Sequence, residues 1–415
     1  MTRVPESIVF RNARIIDGTA DRPRNGVDVL IADGRIRDLS DGFIKTKANL
    51  EIDLTGKFLL PGLIDCHVHV VATTVRLAEN ALVSDSLVTA KAIGILGGMI
   101  RRGFTTVRDC GGADYGLQQA VELGLIKGPR LVISGKALSQ TGGHSDFRGR
   151  YDTRSSEWFG NRLGALGYAV DGVENLRLAV RKQLKAGAQF IKLMGNGGVA
   201  SPTDPVEFLG YSRDELKTAV EEAKMAKTYV AAHLYTAESI KRAVECGVRC
   251  IEHATLTDGA AASLIQQANG VAVPTLIIFE SLKKRGKELG FPKEAMAKID
   301  DVRLSGPSAL ETLKSAGVPM GFGTDLLGET HQYQSEEFIL RHQVLPAHEV
   351  IRSATVDAAT VLGMEGLIGC IKPGAFADLI VMDTNPLNDI SAMTGQGRHM
   401  PMIIKEGIIH KNELK

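Results

Sequence analysis

Eight short apolar runs alternating with long amphipathic stretches constrain the fold of this chain more than any other feature. The runs are Phe58–Ile64, Thr105–Arg108, Arg130–Ser134, Phe190–Met194, Val230–Leu234, Cys250–Glu252, Val271–Thr275 and Met320–Gly323. Between them, apolar residues recur at helical spacing in Leu87–Arg102, Val173–Ala186, Ser212–Ala226, Thr236–Cys246, Ala260–Asn269 and Gly306–Ala316. Strands alternating with helices predict a parallel sheet with helical crossovers. The span from His69, after the first run, to Asp325, after the eighth, is close to the about 250 residues that a (β/α)8 TIM barrel occupies. A doubly wound sheet is the alternative, but it makes no demand for a polar residue at so many strand ends.

The two ends of the chain read differently from its middle. Before residue 60 the sequence is strand-dense, and Asp33-Gly34 between two apolar segments is a two-residue hairpin signal, because both turn positions take positive φ. The last stretch repeats this style with a short strand, Asp378–Met382, and a second hairpin signal at Glu406-Gly407. Residues 1–59 and 366–415 are therefore expected to form one small composite β-sandwich domain beside a catalytic barrel over 60–365.

Composition removes other classes. Lys and Arg total 49 against 48 acidic residues, so no whole-chain basic field invites nucleic acid. No run reaches the ~18–20 apolar residues of a membrane span, and the N-terminus shows no apolar signal core. Five scattered cysteines are an odd set and do not read as a disulfide framework. A cytoplasmic enzyme of a small molecule is the expectation, with no membrane or nucleic-acid partner.

A barrel builds its active site at the C-terminal ends of its strands. The first run ends in His67-Val68-His69. Side chains two apart on a strand point the same way, so both imidazoles aim at one point, as a divalent transition metal requires. Lys192 lies inside the apolar fourth run, where a lysine is costly unless paired or chemically changed. His233 ends the fifth run, His253 the sixth and Asp325 the eighth. Each alone is readily a core hydrogen-bonding residue; six at successive strand ends are harder to explain that way.

The order HxH, Lys, His, His, Asp resembles the amidohydrolase superfamily, specifically its binuclear members with a carboxylated lysine. The C-terminal stretch Gly369–Val381 is similar too, and the resemblance covers essentially the whole chain. It implies that His67, His69 and Asp325 hold one metal, that His233 and His253 hold the other, and that Lys192, as N6-carboxylysine, bridges them. An unmodified ammonium with a pKa of about 10.4 has no lone pair to offer at neutral pH, whereas a carbamate supplies two anionic oxygens. Nitrogen-rich ligands make zinc the first choice for the two divalent ions. The implied mechanism is attack of a metal-bridging hydroxide on an amide carbonyl, with Asp325 as general base and then general acid. Tyr235 shares the face of His233 and is a candidate for the substrate carbonyl or its oxyanion; a core tyrosine is the competing reading.

Within the superfamily, His-Leu-Tyr, the Thr141–His144 loop and Ile191–Met194 most resemble the imidazolonepropionase-related dipeptidases, a group of prolidase-like enzymes and carboxypeptidases. Relatives of that group hydrolyse ochratoxin A, itself an N-acyl amino acid amide. The expected reaction is release of a C-terminal amino acid from a dipeptide or N-acyl amino acid, with His144 meeting the free carboxylate. A cyclic-amide (imidazolone or lactam) hydrolase is the nearest alternative, and a non-catalytic scaffold of the same fold is the alternative of another class. A hydrolytic deaminase fits less well because Lys192 has no part in it. A closed homo-oligomer is expected for this group. Arg148 and Arg150 read as solvated loop residues, and Gly195-Asn196-Gly197-Gly198 as a loop able to bring backbone donors to a ligand. Cys246 and Cys250 read as buried thiols, and Cys66 as pointing away from His67. His331, His342, His348, His399 and His410 read as surface or packing residues. Trp158 reads as packing, with a lid or subunit contact as the other possibility.

Overall fold

The computed structural model describes residues 7–201 and 203–414. The chain folds as a (β/α)8 barrel joined to a sheet-rich unit built from both termini. The first barrel strand, Leu63–Val68, pairs in parallel with Phe104–Asp109, which pairs with Arg130–Ile133. Ile191–Met194, Val230–Thr236, Cys250–Leu256 and Val271–Val273 continue the circle, again in parallel. The helices Asp85–Arg101, Val173–Lys185, Arg213–Met225, Ala237–Glu245, Gly259–Gln267 and Gly306–Ser315 match the expected amphipathic stretches within two residues at each end. Ser212 starts one of them with a capping box: its side chain accepts from the Glu215 backbone, and Glu215 reaches back.

Three strands depart from expectation. Phe58–Ile64 is two strands, not one. Phe58–Pro61 belongs to the terminal sheet, and the barrel strand starts only at Leu63. The break falls at Gly62, where a β-carbon would lie 2.0 Å from the Thr105 hydroxyl. The third strand halts at Gly135, in left-handed conformation, and Ala137–Ser139 resumes it to pair with Gly167–Ala169 and Ile191–Met194. The eighth segment makes one bridge, Ala272 to Met320, instead of a ladder. Closure rests on the Cys66 amide donating to Phe322 (2.7 Å) and the Asp325 amide donating to His67 (2.8 Å). The helices Ile277–Arg285 and Lys293–Arg303 fill the connection before it and were not expected.

The terminal sheet has eight strands, and Phe58–Pro61 is its seam. It runs parallel to Ser7–Ile15 and antiparallel to Leu379–Met382. Alternation along it sends Leu59 into the core of the terminal sheet and Leu60 into the barrel core. Both expected hairpins form, with Asp33, Gly34, Glu406 and Gly407 all at positive φ. Arg130, at the start of the third barrel strand, ties the units together by pairing with Asp378 (2.6 Å) and Glu406 (2.5 Å). No described helix is long and apolar enough to cross a membrane.

Candidate active site

The strand ends converge. His67 and His69 leave the first barrel strand on one face, while Cys66, just before His67, sends its thiol the other way, toward the Ala358 carbonyl. Asp325 Oδ1 lies 3.4 Å from His67 Nε2 and 3.2 Å from His69 Nε2. The rings of His67 and His253 are 4.9 Å apart, and those of His233 and His253 are 4.6 Å apart. His67, His253 and Asp325 each offer a ligand atom within 4.8 Å of the others. Lys192 is 1% exposed, and its Nζ is buried with no hydrogen-bond partner among the described residues.

Each imidazole is held by one nitrogen, which leaves the other for a cation. His67 Nδ1 donates to Glu252 (2.8 Å), His69 Nδ1 to the Gly111 carbonyl (2.9 Å), and His253 Nδ1 meets the Thr275 hydroxyl (2.8 Å). His233 is engaged through Nε2, by the Gly197 carbonyl at 3.2 Å, so its Nδ1 remains. Burial pulls the His67 pKa down to about 4 and those of His233 and His253 well below the usual value, which favours the neutral, ligating form. Burial acts the same way on His69, but the bond to Asp325, the charges of Asp325 and Asp109 and the Gly111 carbonyl together outweigh it, and the net shift is upward. Burial would raise the Asp325 carboxyl; the surrounding imidazoles hold it well below the carboxylate range instead. His253, Ala254 and Asp325 all take left-handed backbone conformations (φ 70°, 52° and 55°), which non-glycine residues adopt at a cost.

Beneath the imidazoles lies a layer the sequence reading did not identify. Glu252 bonds His67 with one oxygen and Arg108 with the other (2.6 Å), and both Glu252 and Arg108 are fully buried. His67, Cys110 and Glu252 also lie within metal-ligand distance of one another. Burial pushes the Cys110 thiol up, however, and both Glu252 oxygens are committed, so this group is a hydrogen-bonded support. Asp65 accepts four hydrogen bonds, from the His67 and Thr324 amides, the Thr324 hydroxyl and Gln334, thereby tying the first strand end to the eighth. Asp109 likewise orders the Val70 and Gly111 amides. Asp65 had a signal, since it shares parity with His67 and His69. Glu252 precedes a histidine of opposite parity and had none.

Tyr235 is buried, its ring 4.6 Å from His233 and 5.2 Å from His253. His144 stacks on His233 with centroids 4.2 Å apart. Lys192 lies close enough for its charge to act on His67, His233 and His253, so all eight expected site residues fall in one cluster. Arg148 is a correction: it is spent on Asp146 (2.6 Å) and the Arg154 carbonyl, not solvated. The Gly195–Gly198 segment also departs from expectation. Gly195 and Gly197 amides bond His233 and Phe208 carbonyls, and Asn196 brackets the amides of Tyr235 and Thr236. His331 is buried against the Ala72 carbonyl, and Trp158 packs half-exposed on Phe159 and Arg154. Cys66, Cys246 and Cys250 are free, buried thiols. A groove of about 500 Å³ is lined by Leu77, Phe147, Arg150, Ser201 and Pro292 among others, and Ser201 links it to His144 (2.7 Å).

Comparison with known proteins gives a consistent picture. The amidohydrolase family profile matches residues 58–407. Ochratoxinase of Aspergillus niger is 31% identical over 351 residues, covering 80% of this chain and 71% of that protein. Among solved structures, an amidohydrolase is 49% identical with a TM-score of 0.96, covering 99% of this chain and all of the other. A prolidase complexed with N-methylphosphonate-L-proline is 46% identical with a TM-score of 0.96, covering 98% of this chain and all of the other.

Proposed function

This chain belongs to the amidohydrolase family, a hydrolase family, and from that premise we propose that it cleaves the amide bond preceding a C-terminal amino acid in a dipeptide or N-acyl amino acid. The observation that carries the reading is Lys192. A buried ammonium with no partner, ringed by imidazoles, is untenable as a structural residue. As the neutral amine it adds carbon dioxide at Nζ and releases one proton, giving a carbamate. That anion has two oxygens, and His67, His253 and Asp325 already offer ligand atoms within 4.8 Å of one another.

In this reading His67, His69 and Asp325 would hold one divalent ion and His233 and His253 the other, with the Lys192 carbamate as the shared anionic ligand; the nitrogen-rich set favours zinc. The pair, once bound, supplies Lewis acidity to polarise the scissile carbonyl and to acidify water. Asp325 accepts the proton of the attacking water and returns it to the departing amine, a role suited to a carboxylate held ionised beside imidazoles. Tyr235 stands over His233 and His253 where its hydroxyl can donate to the developing oxyanion. His144, stacked on His233 at the groove side, receives the substrate carboxylate. The proline-bearing ligand of the prolidase relative supports a substrate that ends in an amino acid.

The test is a panel of dipeptides and N-acetyl-L-amino acids with the zinc-loaded, bicarbonate-treated protein, read by ninhydrin. Release of free amino acid, with a clear preference among C-terminal residues, is expected. Hydrolysis confined to cyclic amides would overturn the reading.

A further inference from the structure

His144 does not stand alone. Its Nδ1 lies 2.7 Å from Ser201 Oγ, the Ser201 hydroxyl bonds Asp204 Oδ1, and Asp204 Oδ2 lies 3.6 Å from the same imidazole nitrogen. Ser201 and Asp204 are buried, and Asp204 Oδ2 has no hydrogen-bond partner among the described residues. A carboxylate in that position costs several kcal/mol of desolvation unless it does something for a neighbouring cation or donor.

The surroundings are built to keep this arrangement. Lys298, from the helix Lys293–Arg303, donates to the carbonyls of Gly198 (2.5 Å), Ser201 (3.0 Å) and Asp204 (3.1 Å), bending the segment round one ammonium. The His144 ring lies flat on Gly198: a β-carbon there would fall 2.0 Å from His144 Cε1. His233 covers the ring at 4.2 Å. The imidazole is thus fixed in plane by Gly198 and His233, and in rotation by Ser201.

We propose that Asp204, acting through Ser201, is a positioning residue that locks the His144 imidazolium with Nδ1–H as the inward donor, so that Nε2–H is the donor presented to the substrate carboxylate. Ser201 accepts from Nδ1–H and donates its own proton to Asp204, which removes the other ring orientation. This inference rests on the proposed function, because it needs an anionic substrate terminus. Asp204 then governs recognition of the carboxylate rather than bond cleavage.

The test uses the full-length zinc-loaded protein with its best N-acetyl-L-amino acid and the corresponding C-terminal amide. Wild type should favour the free acid. Asp204→Asn should keep its metal content and change kcat little. It should raise KM for the acid about tenfold or more, the usual loss for a charge-assisted hydrogen bond, and narrow the gap to the amide. Ser201→Ala should do the same, and Asp204→Glu should recover part of the preference. If Asp204→Asn fails to fold, Ser201→Ala decides. A wild-type enzyme that prefers the acid, with variants that keep both KM and preference, overturns the positioning role alone. A wild type that cleaves neither compound overturns the functional reading and this inference with it.

Discussion

Replacing Arg108 with methionine should be among the most damaging single changes outside the six proposed metal ligands. Arg108 and Glu252 are both fully buried and 2.6 Å apart, and Glu252 also fixes His67. The methionine keeps most of the apolar volume over Phe190 but leaves the Glu252 carboxylate in the barrel core without its cation. Breaking a buried pair on one side typically costs about 3–5 kcal/mol. At about 2.1 cal/mol/K of unfolding entropy per residue, a chain of this length loses roughly 1 °C of Tm per 0.9 kcal/mol, so the fall should be about 3–6 °C. Scanning calorimetry on wild type, Arg108→Met, Glu252→Gln and the double variant separates charge from packing. The double variant no longer carries an orphaned charge and should melt above Arg108→Met. Glu252→Gln should also weaken zinc retention about 10–100-fold, because His67 loses its anionic support. An Arg108→Met Tm within 1 °C of wild type, or a double variant no better than the single, would refute this account of the layer under the histidines.

Lys192→Ala should purify with less metal by elemental analysis, and short carboxylic acids such as propionate should restore part of the activity by replacing the carbamate oxygens; full activity without rescue would remove the carbamate. Asp325→Asn should bind metal yet lose about 10²–10⁴ in kcat, the range for an acid–base group, as measured by steady-state kinetics. His410, half-buried with its Nε2 unpaired among the described residues, has its pKa lowered to about 4 by burial and by Lys405 and Lys127. Between pH 6.5 and 4 the unfolded chain binds a proton that the folded chain does not, so stability present above pH 6.5 is lost as the pH falls. His410→Gln should therefore show a shallower decline of Tm over that interval.

The proposed metal ligands were visible in the sequence because strand alternation is a local rule. Once the eight runs are found, a barrel brings together side chains from their C-terminal ends, where His67, His69, His233, His253 and Asp325 lie, and Lys192 stands out as the one lysine inside the apolar fourth strand. Six helices were equally legible, being defined by their own periodicity and, at Ser212, by a capping box that spans four residues, whereas Ile277–Arg285 and Lys293–Arg303 were not. The departures occur where one stretch serves two structures. Phe58–Ile64 reads as one apolar strand, yet neighbours from residues 7–15 and 379–382 claim its first half and the barrel its second.

The sequence by itself determined the circle of strands, the two hairpins and the set of side chains turned toward its mouth, since each follows from spacing over a few residues. Only the tertiary structure decided what holds those side chains in place. Glu252 behind His67, Asp65 across to Thr324, and Asp204 behind His144 depend on contacts between segments far apart in the chain. The reason is that a buried polar group is satisfied by whatever the folded core brings within hydrogen-bond distance, and that partner leaves no periodic mark along the sequence.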